Sequence, residues 1–380
     1  MSTSETDRRF VAPQGSFDIQ RYPHPEVNLL GWDGADELLL SWVAEHEATL
    51  TGPTCLVNDR FGALAIALAD RSPQSWADSC LSERGLWANV ERNGKAASGI
   101  EFVPSSELPT GPIGLLLIKV PKSLAELEEQ LAAVRPLLRD DATVVAAGMT
   151  KTIHLSTLDL FEKYLGQTTT SLAKKKARLI FPTLDPATTL VVAPEPATYE
   201  TPDGHTVVSF GPVFSRESLD IGTRLLLESI PVFVANEHVV DLGAGSGVVG
   251  LTVLSRSAET SVLFTDESYL AIASARATVE ANVVDATRAS YLVDDCGEGV
   301  ASGSADVVLI NPPFHDRAAK SNETAKRMIG EAKRMLKSGG TVYIVGNRHL
   351  GYHNQLKRRF GQSETVKSNA KFSVLRATKR

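Results

Sequence analysis

Apolar and polar positions alternate along the second half of the chain in two ways. Short runs rich in β-branched residues predict buried strands at 237–242, 261–266, 289–294, 305–311 and 341–346. Segments with apolar residues at helical spacing predict helices at 247–256, 268–281 and 323–337, and the glycines of 337–340 are expected to end the last helix. Strands that alternate with helices predict an α/β fold with a doubly wound, mostly parallel sheet.

The first half of the chain repeats this pattern in altered form. Three of its segments match segments of the second half in the same order, namely "CLVNDRFGALAIAL" (55–68) with "VVDLGAGSGVVGLTVL" (239–254), "LLLIKVPKS" (115–123) with "VVLINPPFH" (307–315), and "LLRDDATVVAAG" (137–148) with "MLKSGGTVYIVG" (335–346). The first pair requires a turn two residues shorter in the first copy. The matches favour duplication into two tandem Rossmann-like lobes; chance similarity between α/β segments is the alternative.

Prolines mark the expected boundary between the lobes. Six of them lie within 181–213, and we place the boundary near 185, which gives lobes of residues 1–185 and 186–380. Just beyond it, "PEPATYETPDGHTVVSF" predicts a hairpin that turns at Asp203-Gly204. The first lobe has Asn58-Asp-Arg-Phe-Gly62 in place of a glycine turn and Lys119-Val-Pro121 in place of Asn-Pro-Pro. We therefore expect the first lobe to be degenerate and to have lost its chemistry.

Composition restricts the class of protein. With 43% hydrophobic and 22% charged residues, the 380-residue chain resembles an ordinary globular protein with a sizeable core. No run approaches the roughly 18 apolar residues of a membrane span, and "MSTSETDRRFVA" lacks the apolar centre of a secretory signal. Cys55, Cys80 and Cys296 lie far apart and form no metal-ligand or disulfide pattern. We expect a cytoplasmic protein with reduced thiols, no membrane partner and no metal.

Charge is distributed unevenly along the chain. The net charge is −6, yet residues 316–380 hold 16 Lys and Arg against 4 Asp and Glu, so this segment carries +12 and the rest −18. This asymmetry predicts a basic face on an acidic body, which would suit a nucleic-acid partner. A solvated helix surface is the alternative.

A glycine turn follows the first strand of the second lobe. In "VVDLGAGSGVVGL", Gly243, Gly245 and Gly247 permit a tight turn and close approach of the backbone to a ligand at a helix N-terminus. Because Gly245, Gly247 and Gly250 also satisfy the G-x-G-x-x-G fingerprint, a dinucleotide-dependent dehydrogenase is an alternative.

Acidic residues end the first three strands of this lobe. Asp241 is placed to bind a cationic amino-acid group, and Asp266, nineteen residues after Gly247, can accept both hydroxyls of a ribose. Asp294 and Asp295 follow the third strand within reach of an adenine amino group, and we favour Asp295. A solvated strand-end turn is the alternative for Asp266.

The stretch "DVVLINPPFHDR" ends the fourth strand on Asn311 and two prolines, which lack backbone donors and fix φ near −65°. Together with the glycine turn, this Asn-Pro-Pro-Phe motif resembles class I S-adenosylmethionine (SAM)-dependent methyltransferases that act on planar exocyclic nitrogens. "GPVFSRESLDIGTRLLLESIP" (211–231) and the tandem lobes further resemble the bacterial ribosomal-RNA guanine-N2 methyltransferases. "YIVGNRHLGYHNQLKRRFG" and "SNAKFSVLRATK" are similar to the large-subunit (23S rRNA) member, with the small-subunit (16S rRNA) member as the alternative.

The resemblance implies SAM as cofactor and a guanine of 23S rRNA as substrate, either bare or in a ribosome assembly intermediate. The Asn311 amide oxygen and the Pro312 carbonyl would each accept one N–H of the guanine amine, so Asn311 belongs to both the substrate and the cofactor site. Pro313 would stiffen the turn and Phe314 would stack on the base. Catalysis would then rest on positioning and electrostatics, with no metal.

Several other residues are candidates with an open role. RNA contacts are expected from a basic cluster of the first lobe, Lys174, Lys175, Lys176 and Arg178, for which a solvated helix face is the alternative. Contacts are also expected from Arg348 and His349 after the fifth strand. Phe214, Ser215 and Asp220 would close over the cofactor, unless Ser215 caps a helix. His315 is a packing residue or a general base.

Rival functions remain at this point. Adenine-N6 DNA methyltransferases and release-factor glutamine methyltransferases share Asn-Pro-Pro-aromatic motifs, but a duplicated lobe disfavours both. A catalytically silent, RNA-binding assembly factor is the alternative outside enzymes.

Overall fold

The computed structural model describes residues 9–23, 29–95, 99–190, 192, 194–211, 213–214, 216, 218–282, 284–313 and 318–380, with the backbone alone at 189–190 and 318–321. The chain divides into two compact units, Met1–Glu195 and Pro196–Arg380. The division falls ten residues after the boundary expected near 185. Among the described residues, no helix is both long and apolar enough to cross a membrane.

The first unit is built on a seven-stranded sheet in the order β5-β4-β3-β6-β7-β9-β8, within the described residues. The strands of this sheet are β3 (Thr54–Val57), β4 (Gln74–Ala77), β5 (Glu101–Pro104), β6 (Ile113–Lys119), β7 (Leu138–Met149), β8 (Thr168–Thr170) and β9 (Ala177–Pro182). The unit also contains β1 (Phe10–Ala12) and β2 (Gly15–Phe17), which pair with each other. Its helices are α1 (Gly34–His46), α2 (Ala63–Ala67), α3 (Cys80–Arg92), α4 (Leu124–Val134) and α5 (Leu155–Tyr164). Within the seven-stranded sheet, pairing is parallel except at β9, which runs antiparallel to β7 and β8, and the separate pair of β1 and β2 is antiparallel.

The second unit has a sheet with the corresponding order, β14-β13-β12-β15-β16-β18-β17. The strands of this sheet are β12 (His238–Leu242), β13 (Ser261–Asp266), β14 (Ala289–Val293), β15 (Ala305–Ile310), β16 (Leu336–Asn347), β17 (Glu364–Ser368) and β18 (Phe372–Thr378). The unit also contains β10 (Ala197–Glu200) and β11 (Thr206–Ser209), which pair with each other. Its helices are α6 (Ile221–Leu227), α7 (Val248–Arg256), α8 (Tyr269–Glu280), α9 (Ala318–Met335) and α10 (Tyr352–Phe360). The predicted fold class, two tandem doubly wound lobes, is confirmed.

Inner strands of each sheet are buried on both faces, which explains their continuous apolar runs. In β15, Val307 and Leu309 enter one core and Val308 and Ile310 enter the core on the opposite face. Successive side chains of a strand point to opposite faces, so a strand covered on both sides by helices needs apolar residues at every position. The neighbouring strand β12 is buried in the same way.

The two sheets share even their irregularities. Leu115 of β6 pairs with Thr143, and Val307 of β15 pairs with Thr341, at the offsets of 192 and 198 residues that the matching segments have. A register shift precedes Leu115 in the first sheet and Val307 in the second. The predicted internal repeat is therefore confirmed.

Two details of the sequence alignment were wrong. The turns 58–62 and 243–247 both contain five residues, so the first copy is not shortened. Asn58 takes φ +65° where Gly243 takes +79°, and asparagine is among the few residues that tolerate this conformation. The helix predicted at 323–337 is α9, which ends at Met335. Residues 337–340 lie in β16 and do not end the helix. The hairpin of β10 and β11 around Gly204 is as predicted.

Candidate active site at the carboxyl edge of the second sheet

The carboxyl ends of β12, β13 and β15 bring the predicted site residues of the second unit to one edge. Leu242, the last residue of β12, pairs with Thr265 on one side and with Ile310 on the other. The glycine turn, Asp266 and Asn311 follow these three positions directly. The strands that follow β12 along the chain, β13 and β14, lie on one side of it, and the chain then crosses to β15 on the other side. The order of the strands therefore reverses at β12, and ligands bind at such a switch point in open α/β sheets.

The three glycines of the turn have left-handed backbone conformations but different surroundings. Gly243, Gly245 and Gly247 have φ of +79°, +53° and +79°. A Cβ at Gly247 would lie 2.8 Å from Cα of Ala275, whereas a Cβ at Gly245 would meet no atom within 4 Å. Glycine is thus needed at 247 for packing as well as conformation, while position 245 leaves space beside the backbone for a ligand.

The third glycine of the dinucleotide fingerprint, Gly250, has a packing role. A Cβ there would lie 2.3 Å from Cε1 of Phe264, so α7 can approach β13 closely because this residue lacks a side chain. The third glycine of the dinucleotide fingerprint has the same packing role, so Gly250 does not distinguish a dehydrogenase from the other enzyme classes.

Asp266 is fixed to the glycine turn. Its Oδ2 accepts a hydrogen bond of 3.0 Å from the backbone N–H of Gly245, and its Oδ1 accepts one of 3.1 Å from Ser268. Burial raises the pKa of Asp266, and these amides oppose the rise. The predicted pair of hydrogen bonds from Asp266 to a ribose stays a prediction.

Asp241 lies deeper in the sheet and is 2% exposed. Its Oδ2 accepts a 2.8 Å hydrogen bond from the backbone N–H of Gly250 at the start of α7. Burial raises the pKa of Asp241 to about 7, and this hydrogen bond partly opposes the rise. Its predicted contact with a cationic amino-acid group stays a prediction.

Asp294 and Asp295 are both buried and have protein partners. Asp294 Oδ2 accepts a 2.6 Å hydrogen bond from the Gly299 N–H. Asp295 Oδ2 lies 2.5 Å from a guanidinium nitrogen of Arg327, which also pairs with Glu298. The sequence reasoning missed Arg327, because nothing local links it to a carboxylate 32 residues earlier. The adenine contact assigned to Asp295 stays a prediction, and it would have to form beside this ion pair.

Asn311 is held by its amide nitrogen. Nδ2 donates a 2.8 Å hydrogen bond to Oγ1 of Thr223 in α6, and that hydroxyl donates to Oδ2 of Asp220. Among the described residues, Asn311 Oδ1 is buried and has no hydrogen-bond partner. A buried acceptor without a partner is rare in folded proteins. This oxygen is therefore a candidate acceptor for a substrate N–H.

Several neighbours of Asn311 are only partly described. Pro312 is buried and Pro313 exposed. Phe314, His315 and Ser215 lie outside the described residues, so their assigned roles stay predictions. Asp220 is the N-cap of α6 and accepts hydrogen bonds from the N–H groups of Gly222 and Thr223.

The matching site of the first unit has a different chemistry. Lys119 occupies the sheet position of Asn311, and its ammonium lies 2.7 Å from Oδ2 of Asp36. Asp36 is the third residue of α1, as Thr223 is the third of α6. Burial alone would lower the pKa of Lys119, but the nearby carboxylates outweigh it and raise the pKa. A charged lysine can donate but not accept, which fits the predicted loss of chemistry.

The first unit also has no carboxylate at the position that corresponds to Asp266. Trp76 pairs with the last residue of β3 as Thr265 pairs with the last residue of β12. Ala77 therefore stands where Asp266 stands in the second unit.

The basic candidates are exposed. Lys174 and Ala177 bridge a tight turn, with Lys175 and Lys176 at positive φ, so this cluster is not a helix face. Lys175 also pairs with Glu37, and Arg178 is exposed on β9. Arg348 and His349 are exposed after β16, and Arg348 borders a cavity of about 350 Å³ with His353.

Comparison with known proteins covers both units. Residues 7–186 match the RLMG N-terminal domain, and residues 204–376 match the methyltransferase small domain. A ribosomal RNA large subunit methyltransferase G of Streptomyces coelicolor is 46% identical over 97% of this chain and 100% of its own length. The protein of that name in Aeromonas hydrophila is 46% identical over 95% of this chain and 97% of its own.

A solved structure shares the tandem architecture. It is a T. thermophilus 16S rRNA N2 methyltransferase in complex with AdoMet and guanosine, 22% identical, with a TM-score of 0.75 over 98% of this chain and 97% of that one. At this identity the likeness concerns the fold. The sequence relatives decide between the two expected family members, and the resemblance to the large-subunit member is confirmed. The chain belongs to the ribosomal RNA large subunit methyltransferase G family.

Proposed function

We propose that this protein transfers the methyl group of SAM to the exocyclic N2 amine of a guanine in 23S rRNA. The observation that carries the proposal is the Oδ1 of Asn311, which is buried and has no partner among the described residues, at the edge of the sheet where the glycine turn and Asp266 lie. The relatives at 46% identity are large-subunit rRNA methyltransferases by name. We place the enzyme in the cytoplasm, where rRNA is made in bacteria.

The residues of the site suit a poor nucleophile. The lone pair of a guanine amine is delocalised into the ring, so the nitrogen must be drawn toward tetrahedral geometry before it attacks. Asn311 Oδ1 and the carbonyl of Pro312 can each accept one N–H, which favours that geometry. SAM, when bound, supplies an electrophilic methyl group on its sulfonium. Because no covalent bond to the protein is needed, catalysis consists of orientation and preorganised hydrogen bonds.

We assign the cofactor to the second unit. Asp241, the three glycines and Asp266 lie there, and the first unit has Ala77 in place of Asp266. Asp266→Ala should weaken binding of S-adenosylhomocysteine by about 1–3 kcal/mol, since it leaves polar groups unpaired. Calorimetry on the full chain should give one site per chain. A second site, or unchanged affinity in the variant, would contradict the assignment.

We assign RNA recognition to both units. The supporting observations are the basic turn 174–178, with Lys174, Lys175, Lys176 and Arg178 exposed, and the exposed basic side chains of Arg348, Lys357 and Arg358. In α10, Lys357 and Arg358 form no ion pair with described residues. Phosphate contacts from such residues position RNA without reading its sequence.

The decisive experiment is methyl transfer to defined RNA. The protein is incubated with methyl-tritiated SAM and with 23S rRNA, 16S rRNA, assembled large subunits or assembly intermediates, and the labelled nucleoside is mapped. We expect N2-methylguanosine at one position of 23S rRNA, with the particle that reacts fastest identifying the natural substrate. Label confined to 16S rRNA, or on another atom, would overturn the proposal. SAM binding without any transfer would favour the silent assembly factor.

A further inference from the structure

We propose that Thr223 and Asp220 are positioning residues that set which end of the Asn311 amide faces the substrate. The inference rests on the proposed methyl transfer and adds which residues fix the orientation of the Asn311 amide. An amide side chain has a donor end and an acceptor end of nearly the same shape. Only the acceptor end can draw a hydrogen of the guanine amine, so the reaction needs a device that excludes the flipped orientation.

The hydrogen bonds at the start of α6 provide this device. The carboxylate of Asp220 accepts from the backbone N–H groups of Gly222 and Thr223 and from the hydroxyl of Thr223. A hydroxyl has a single hydrogen, and here it is directed to Asp220, so Thr223 Oγ1 can only accept from other groups. Asn311 must then present its NH₂ group to Oγ1, at 2.8 Å. Its Oδ1 is consequently turned away from Thr223, and it has no hydrogen-bond partner among the described residues.

Burial strengthens the preference. Thr223 is 3% exposed, and Oδ1 of Asn311 is also buried. In the flipped orientation two oxygens without a hydrogen between them would face each other in a poorly hydrated place. Such an arrangement loses one hydrogen bond and leaves an NH₂ group unpaired, which is costly in a buried site.

The first unit supports the coupling of these two positions independently. There the third helical residue after an aspartate N-cap again contacts the residue at the end of the fourth strand, as Asp36 and Lys119. The backbone therefore brings the two positions together in both units, and the side chains determine what the contact does. In the second unit the pair leaves the Asn311 oxygen without a partner among the described residues, and in the first unit it neutralises a charge.

The test compares three variants in single-turnover methylation of 23S rRNA with saturating SAM. Thr223→Val keeps the shape but lets the amide flip, and we expect its rate to fall about 10²-fold, the scale of a misplaced catalytic group. Thr223→Ser keeps the hydroxyl and should recover most of the rate. Thr252→Val is the matched control, because Thr252 is also buried but donates only to the Val248 carbonyl within α7; its rate should stay near wild type. Affinity for S-adenosylhomocysteine should hold in all three.

A double-mutant cycle separates orientation from general loss of structure. In the Asn311→Ala background there is no amide to orient, so Thr223→Val should reduce the rate by less than about 3-fold, within the scatter of independent sites. The same large loss in both backgrounds would overturn the positioning role, as would a wild-type rate for Thr223→Val. If instead the wild-type enzyme itself fails to label N2 of guanine, the proposed function falls.

Discussion

The side-chain oxygen of Asn311 is the residue-scale feature with the clearest kinetic consequence. Asn311→Ala removes an acceptor whose hydrogen bond strengthens as the substrate nitrogen becomes tetrahedral. We expect kcat to fall about 10²–10³-fold, as for loss of one preorganised hydrogen-bonding group, while SAM affinity holds. Single-turnover rates with saturating SAM, together with calorimetry, measure the two quantities separately.

Asn311→Asp is the informative companion. A carboxylate also accepts hydrogen bonds from the substrate amine, although it has no NH₂ group to donate to Thr223, whose hydroxyl stays bonded to Asp220. Part of the rate should therefore return, and the added negative charge near the sulfonium should tighten SAM binding. A near-normal rate for Asn311→Ala would mean that the Asn-Pro-Pro turn is only a scaffold.

Asp241 gives the unliganded protein a pH-dependent stability. Its pKa is raised to about 7 by burial, against a value near 4 in the unfolded chain. Such a carboxyl stabilises the fold below about pH 4, and this stabilisation is lost as the pH rises through about 7. Relative to Asp241→Asn, wild type should lose at most about 4 kcal/mol of unfolding free energy between these limits. Chemical denaturation of both proteins across this pH range measures the difference, and parallel curves would contradict it.

The sequence alone identified residues that carry a local signature. Asp241, Asp266 and Asn311 stand directly at strand ends, so the strand pattern was enough to bring them to one edge. Thr223 and Arg327 have no such signature, since each acts on a residue more than 30 positions away and any helix contains similar residues. Asp220 was singled out as closing over the cofactor, but its bonds to Thr223 become visible only in the folded chain.

At the scale of elements, the glycine turn joins β12 to α7 under two distinct constraints. Gly245→Ala should cost about 1–2 kcal/mol of unfolding free energy for its left-handed conformation alone. Gly247→Ala should cost about a further 1–3 kcal/mol, because its Cβ would also lie 2.8 Å from Ala275. Denaturation of both variants at one pH compares them. Equal losses would show that α8 can move away from the turn.

Element boundaries were predictable to about one residue wherever an apolar run met a turn, as for β12 and β13. The turn of the first unit was misaligned because glycine was taken as the mark of a left-handed residue. Asn58 adopts that conformation without being glycine. The end of α9 was misplaced for a related reason, since Gly339 and Gly340 lie in the strand that follows the helix rather than capping it.

At the scale of the whole molecule, the excess of basic residues after 316 predicts salt-sensitive RNA binding. Some of these charges are used internally, as in the pairs Arg327–Asp295 and Lys337–Asp306, so fewer phosphates are contacted than the count of 16 suggests. If several remain, affinity should still drop by orders of magnitude between about 50 and 200 mM salt.

Single neutralisations localise the effect. Lys357→Gln on α10 should reduce the slope of log affinity against log salt by about 1. Lys326→Gln removes the same charge, but Lys326 pairs with Glu323 on α9, so its slope should stay close to wild type. Filter binding or fluorescence titration over a salt series measures both. A flat profile for wild type would exclude an interface dominated by phosphate contacts.

The ion pair of Lys119 and Asp36 has a consequence for the mutational history of the first unit. Asp36 is fully buried, so replacing Lys119 alone leaves the Asp36 carboxylate buried without its cationic partner. Breaking a buried ion pair in this way costs about 3–5 kcal/mol. Any return to an amide and a hydroxyl at these two positions must pass through one such single variant, less stable than either end point. Selection against unstable intermediates is therefore expected to keep the first unit from regaining methyl transfer, although its backbone has preserved every strand of the catalytic sheet.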